Sequence, residues 1–195
     1  MPTGTSSRAL APAEIGDRLR AQFGDDILDV QDQSGHAVIS VTPARYRELA
    51  QFLRDDPDFS MNYFDFSAGV DMGGGPSPSE NGEEEGQAAP SSGPRFQVIT
   101  HLFSIRHNHH VRLKVGLDGD EPRCQSLSSV YSGADWAERE TWELFGIVFE
   151  GHPHLVKLLL PEPFEGHPLR KDFELMSRVA KPWPGAVEGE EDEEE

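Results

Sequence analysis

The chain has 195 residues, 36% of them hydrophobic, with 35 acids against 17 bases and a formal charge of −18. That length supports a core of its own, and so acidic a balance, with no basic stripe to neutralise phosphates, speaks against nucleic acid as a partner. The single cysteine, Cys124, forms no internal disulfide and supplies only one of the roughly four thiolates that hold an iron–sulfur cluster.

The charge is unevenly spread. Eleven acids fall in two runs without Lys or Arg, Glu80 to Glu85 and Glu188 to Glu195. Removing those eleven from the 35 leaves 24 acids against 17 bases, ordinary for a soluble protein. The stretch 71–94 is Gly, Pro, Ser and Glu with almost nothing apolar, and 187–195 is nearly all acidic. Neither has the apolar surface to offset ordering entropy, so both are expected to be disordered, as are residues 1–9. The tail reads as a solubilising element. The opening MPTGTSSRALAPAE has no apolar stretch of signal-peptide length, and no run approaches the roughly 20 residues of a membrane span. The chain fits a reducing cytoplasm, with membrane association expected only through a partner.

Ala11, Ile15, Leu19 and Phe23 recur at helical spacing, and Gly24 ends that helix. Ile27 to Val30 and His36 to Val41 read as strands joined across Gln33-Ser34-Gly35. Thr42 and Pro43 have the chemistry of a helix start, and Tyr46, Leu49, Ala50 and Leu53 form the buried stripe that follows. Phe59–Val70, Phe96–Arg106 and Val111–Leu117 read as three strands of a meander, with the insert as a long hairpin loop. Ser126 to Phe145 carries helical periodicity, with Ser132-Gly133 as a candidate break. Prolines at 153, 161, 163 and 168 then prevent long regular elements. The fold class is α+β, an antiparallel or mixed sheet of about five strands with helices on one face. The domain is expected over 10–160. An extended arm over 161–186 must bury Phe164, Leu169, Phe173 and Trp183 against its own body or another chain.

The functional groups concentrate between Trp136 and Leu175. Glu138, Glu140 and Glu143 with Arg139 resemble an acid–base set, but a charged helix face paired with bases such as Arg170 and Lys171 gives the same pattern. His101, His107, His109 and His110 cluster about a predicted hairpin turn, where histidines usually face water; a metal reading needs three or four converging ligands. His152, His154 and His167 sit in proline-bounded corners, where a histidine commonly caps a carbonyl or carboxylate. There is no nucleophile elbow, phosphate loop or His-Glu-x-x-His helix. Gly73-Gly74-Gly75 leads into a proline-rich run and lacks a helix to present its amides. A free-standing metal enzyme built on the histidines is one reading; a docking element is the other.

Two runs then carry a family likeness. Glu138-Arg139-Glu140, Glu143-Leu144-Phe145, Gly146-Ile147, His152-Pro153 and Lys157-Leu158-Leu159 form one. Gly166-His167-Pro168-Leu169-Arg170-Lys171-Asp172-Phe173 forms the other. Together they resemble the thirty-kilodalton subunit family of respiratory complex I, the C-type subunits of NADH:quinone oxidoreductases. The chain departs from the family's usual pattern at His154, Val156 and Glu174. The resemblance implies a subunit of the peripheral, cytoplasmic-side arm with no catalytic, cofactor or metal residues of its own. NADH, FMN, iron–sulfur clusters and quinone would belong to the assembled, proton-pumping enzyme. The implied partner is a large 49 kDa-type quinone-site subunit, met through the residues of these two runs. Related complexes fed by other electron donors, and membrane-bound hydrogenases, contain equivalent subunits.

Overall fold

A computed structural model describes residues 9–73 and 93–174. The expectations for 1–8, for 74–92 of the insert and for 175–195 lie outside the described residues.

Helix α1 spans Pro12–Phe23, with proline in its first turn and the Glu14 carboxylate accepting from the Ala11 N–H. Ile15 and Leu19 are buried. Gly16 lets the helix close on the sheet, since a Cβ there would stand 2.5 Å from Val30 Cγ1. Strands β1 (Ile27–Gln33) and β2 (His36–Val41) form the expected hairpin. Its two corner residues, Ser34 and Gly35, both take positive φ, as a tight hairpin turn demands. A short 3-10 turn over Pro43–Arg45 leads into helix α2, Tyr46–Asp55. Thr42 does not cap it as expected; its hydroxyl donates to Asp26 instead. Tyr46, Leu49, Ala50 and Leu53 are the buried stripe.

Three long strands follow: β3 (Tyr63–Asp71), β4 (Phe96–Ser104) and β5 (His109–Leu117). The predicted first strand of this group starts four residues late. Phe59 and Met61 are buried in the approach, but Ser60 turns the chain at φ 45°. Asp71, assigned by composition to the insert, is the buried last residue of β3. Short strands β6 (Arg123–Gln125) and β7 (Val148–Glu150) pair in parallel as a separate two-stranded sheet. Helix α3 covers only Ala134–Phe145. The stretch 126–133 is turns, because its serines bond to side chains rather than continuing a helix.

The main sheet is mixed, in the order β1-β2-β5-β4-β3. The β3–β4–β5 meander and the β1–β2 hairpin are antiparallel, and β2 joins β5 in parallel from Ala37↔Val111 to Ser40↔Lys114. One face carries Ala37, Ile39, Val98, Leu102, Val111, Leu113 and Val115 into a core shared with all three helices. Tyr46 of α2 reaches that face and hydrogen-bonds Thr100, which also bonds Ser67. Gly69 meets Thr141 and Phe145 of α3 on it. The opposite face carries His36, Phe66, His101, Phe103 and His110.

Candidate functional site

Helix α3 and the segment after it form one interlocked unit. Two carboxylates that read as a charged helix face are inside: Glu138 is 1% exposed and Glu143 is 3% exposed. Glu140 alone of the three is exposed. Neither buried carboxylate pairs with Arg170 or Lys171, as the charged-face reading expected. Glu138 accepts from Ser126 Oγ and from the Leu127 N–H, each at 2.5 Å. Burial pushes its carboxyl up to about 7 against those two donors. Glu143 accepts the N–H groups of Leu158, Leu159 and Leu160 in succession, at 2.9, 2.9 and 2.5 Å. Burial works against its charge, but the three amides prevail and hold it below the usual carboxylate range.

The C-terminal end of α3 shows why the second run has its composition. A helix leaves its last four carbonyls without intrahelical partners. Here the Trp142 carbonyl accepts from the Gly146 N–H. The Glu143 carbonyl accepts from His167 Nδ1 at 2.9 Å. The Leu144 carbonyl accepts from the Leu169 N–H at 3.1 Å, and the Phe145 carbonyl from Arg170 Nε at 2.6 Å. Gly146 sits at φ 72°, and a Cβ there would come within 2.4 Å of Arg170 Nη2 and 2.6 Å of His167 Nε2. Only glycine satisfies both the left-handed turn and the space.

The remaining motif residues hold the loop to itself. Arg139 donates to the Val156 and Lys157 carbonyls. Lys157 Nζ donates to the carbonyls of Pro161, Glu162 and Phe164. His152 accepts the His154 N–H on Nδ1, so its Nε2–H is free to donate to the Asp135 carbonyl at 3.2 Å. Both corner histidines, His152 and His167, thus reach helix carbonyls. Gly166 turns at φ 85°, and Pro168 follows within a half-buried bend where Phe173 stacks near Phe164. Within the expected arm, His167, Leu169 and Arg170 therefore lie against α3 of their own chain, and Lys171 and Asp172 against Asp71 and Arg95.

Two residues that sequence reasoning missed bind this unit to the sheet. Asp71 accepts from Arg95, from the Lys171 N–H at 2.9 Å and from the Gly73 N–H at 2.8 Å. Burial opposes its charge, but Arg95 and the amides hold the carboxyl below its ordinary value. Arg95 also meets Asp172 at 2.8 Å, and both Arg95 and Arg170 lie over the Phe96 ring. An acid and a base at the two mouths of one long insert were the available signal. Cys124 is buried, and burial with the nearby Glu138 charge pushes its thiol up, which suits a passive core residue.

A groove beside this unit, between β3 and α3, is lined by Phe64, Phe66, Trp136, Glu140, Leu158 and Leu159. Trp136 is 68% and Leu159 60% exposed. Among the described residues, no helix is long and apolar enough to cross a membrane.

Residues 39–179 match the model of the family described as respiratory-chain NADH dehydrogenase, 30 Kd subunit. The chain belongs to that family. A C-type subunit of NADH-quinone oxidoreductase from Roseiflexus sp. (strain RS-1) is 41% identical over 167 residues, 86% of each chain. Its counterpart from Coxiella burnetii is 39% identical over 177 residues, covering 84% of this chain and 78% of that one. A C/D-type subunit of NADH-quinone oxidoreductase from Serratia proteamaculans is 38% identical over 80% of this chain but only 24% of its own length. Among solved structures, a trypsin-resistant fragment of Nqo5 aligns with a TM-score of 0.54 at 23% identity, over 73% of this chain and 98% of the fragment. A chain of an archaeal membrane-bound sulfane sulfur reductase aligns with a TM-score of 0.57 at 17% identity, over 90% and 98%. These two likenesses concern the fold.

Membership of the thirty-kilodalton family places this chain among the subunits of complex I. In the structure the two runs form one internal device: the first builds α3 and the second closes it.

Proposed function

We propose that this chain is a non-redox structural subunit of the peripheral, cytoplasmic-side arm of a proton-pumping NADH:quinone oxidoreductase. It docks on the large 49 kDa-type quinone-site subunit and supports electron transfer from NADH to quinone without touching either. NADH, FMN, the iron–sulfur clusters and quinone are held by other subunits, and the chain meets the membrane only through them. The observation that carries this reading is how α3 and the segment after it use their polar groups. Glu138, Arg139, Glu143, Lys157, His167 and Arg170 are spent on the chain's own backbone, which leaves a rigid platform rather than an acid–base site. What the platform presents outward is apolar: Trp136, Leu159 and Phe66 around the β3–α3 groove. Exposed aromatic surface rimmed by charge is characteristic of a protein interface. Glu140 lines the groove and is exposed, while Lys171 and Asp172 are exposed at the Asp71 end of β3; these charges would set orientation more than affinity.

The C/D relative supports a D-type neighbour, since there a C portion of about a quarter of the chain continues into a longer polypeptide. Identities near 40% to NADH-quinone oxidoreductase subunits favour NADH as the electron source over the donors of related complexes. The test is a Trp136→Glu, Leu159→Glu double variant expressed in place of the native chain. Loss of co-purification with the large subunit and of membrane NADH:quinone activity is expected, with the isolated variant's melting temperature unchanged. Normal assembly and activity would remove this face from the interface and the proposal with it.

A further inference from the structure

The sheet sorts the histidines of the β4–β5 turn into two groups. His107 and His109 do not face water, as turn histidines were expected to. They are buried and donate through Nε2 to the carbonyls of Pro57 and Phe59. His101 and His110 point to the other face, where they meet His36.

These three stand on neighbouring strands, β2, β5 and β4. A ligand-capable atom of each lies within 4.8 Å of the others. His101 Nε2 and His110 Nδ1 share a hydrogen bond at 3.0 Å; with its proton displaced by an ion, that spacing is near the edge of about 3.3 Å for a tetrahedral site with zinc–nitrogen bonds of about 2.0–2.1 Å. His36 stacks on His110 with ring centroids 4.4 Å apart. The backbone fixes this meeting: β2 and β5 run in parallel with Ala37 opposite Val111, which sets His36 beside His110. A ligand-capable atom of His36 already lies within 4.8 Å of the other two, and rotation of its ring is what a bound ion would have to bring about.

A second observation points the same way. The other ring nitrogen of His101, Nδ1, faces Asp65 Oδ2 at 3.7 Å. That spacing exceeds a hydrogen bond; closed by a small side-chain movement, it gives the carboxylate–imidazole pair that recurs as the outer shell of metal-binding histidines. Phe66 packs edge-on against His101, and Phe103 stacks on His110, so apolar rings wall the cluster. Arg112, two residues along β5 on the same face, adds a positive charge. The site therefore has no surplus of negative charge to attract Mg2+ or Ca2+, which take oxygen ligands. Neutral imidazoles select a borderline metal instead.

We propose that His36, His101 and His110 form a three-imidazole site for a divalent transition metal ion of the zinc class, with Asp65 orienting His101. The fourth position is left to water. The ion would clamp the parallel seam where the N-terminal hairpin meets the meander, and it would stabilise the native chain by binding it and not the unfolded one.

The test uses the chelator-stripped full-length chain, titrated with Zn2+ by calorimetry and with Co2+ by visible absorption. One equivalent is expected, with the intense bands of low-coordinate Co2+ and a Zn2+-dependent rise in melting temperature. His36→Gln with His110→Gln should weaken binding at least about 100-fold and abolish the rise, while His154→Gln, at an exposed corner, should change neither. Absence of stoichiometric binding, or binding retained in the double variant, overturns the proposal. Should that double variant fail to fold, Asp65→Asn decides: a loss of about 10-fold or more supports the site, and unchanged affinity overturns it.

Discussion

Replacing Glu143 tests how the loop after α3 is held. Its carboxylate accepts three consecutive amides, those of Leu158, Leu159 and Leu160. A hydrogen bond to a charged group contributes about 1.5–3 kcal/mol, and the low end applies because Leu159 is exposed and water can resolvate its amide. Glu143→Ala should therefore cost about 4 kcal/mol, a large part of the roughly 5–15 kcal/mol that holds a domain. Glu143→Gln keeps one acceptor oxygen for two amides but turns an NH2 group toward the third. It should cost about 2 kcal/mol. Urea unfolding of the full chain, followed by circular dichroism, gives both values from the shift in midpoint at constant slope. Amide exchange at 158–160 should accelerate in the same order. If Glu143→Ala stays within about 0.5 kcal/mol of the parent, or if those amides keep their protection, the carboxylate is not what fixes the loop.

Gly146→Ala should cost at least about 2 kcal/mol by the same unfolding assay, since the left-handed turn alone costs about 1–2 kcal/mol and the new Cβ strikes Arg170 and His167. Glu138 sets a pH dependence of unusual sign. Its folded pKa of about 7 lies above the ordinary carboxylate value of 4.5, so the folded state holds the extra proton between them. Stability should then fall as pH rises from about 4.5 to 7, by up to about 3 kcal/mol. Glu138→Gln should flatten that part of the profile. Asp71 and Glu143, held low, work oppositely, and their contribution is lost only as pH falls below about 4.

Local chemistry made much of this fold legible. The Ser34-Gly35 corner, the stripe on α2 and the alternation of β5 each follow from neighbours in sequence. The parallel β2–β5 seam does not, because nothing in either strand states which edge it will meet. The sequence pattern overstates the extent of α3, since Leu127, Val130, Tyr131 and Ala134 recur at helical steps. Ser126 instead donates to Glu138 and accepts from the Ser128 N–H, which holds that stretch in turns. Family likeness marks the motif residues but not their partners. Acids and bases in one segment invite pairing on paper. In the folded chain Glu143, Lys157, Arg139 and Arg170 bond to backbone groups, whose positions no side-chain pattern records. Asp71 went to the insert on composition alone, although it closes β3.

A ribosome delivers α3 before it delivers what closes it. When Phe145 has been added, the carbonyls of Glu143 to Phe145 still face solvent. Their partners arrive 24 positions later for His167 and 25 for Arg170, a closure whose entropic cost grows only slowly with such a span. A chain stopped just short of Gly166 would carry every helix and strand of the described fold, yet its last helix would be open and Asp71 would lack the Lys171 amide. Late nonsense mutations should therefore behave as folding defects, and a nascent chain stays incomplete until these last partners of α3 are made.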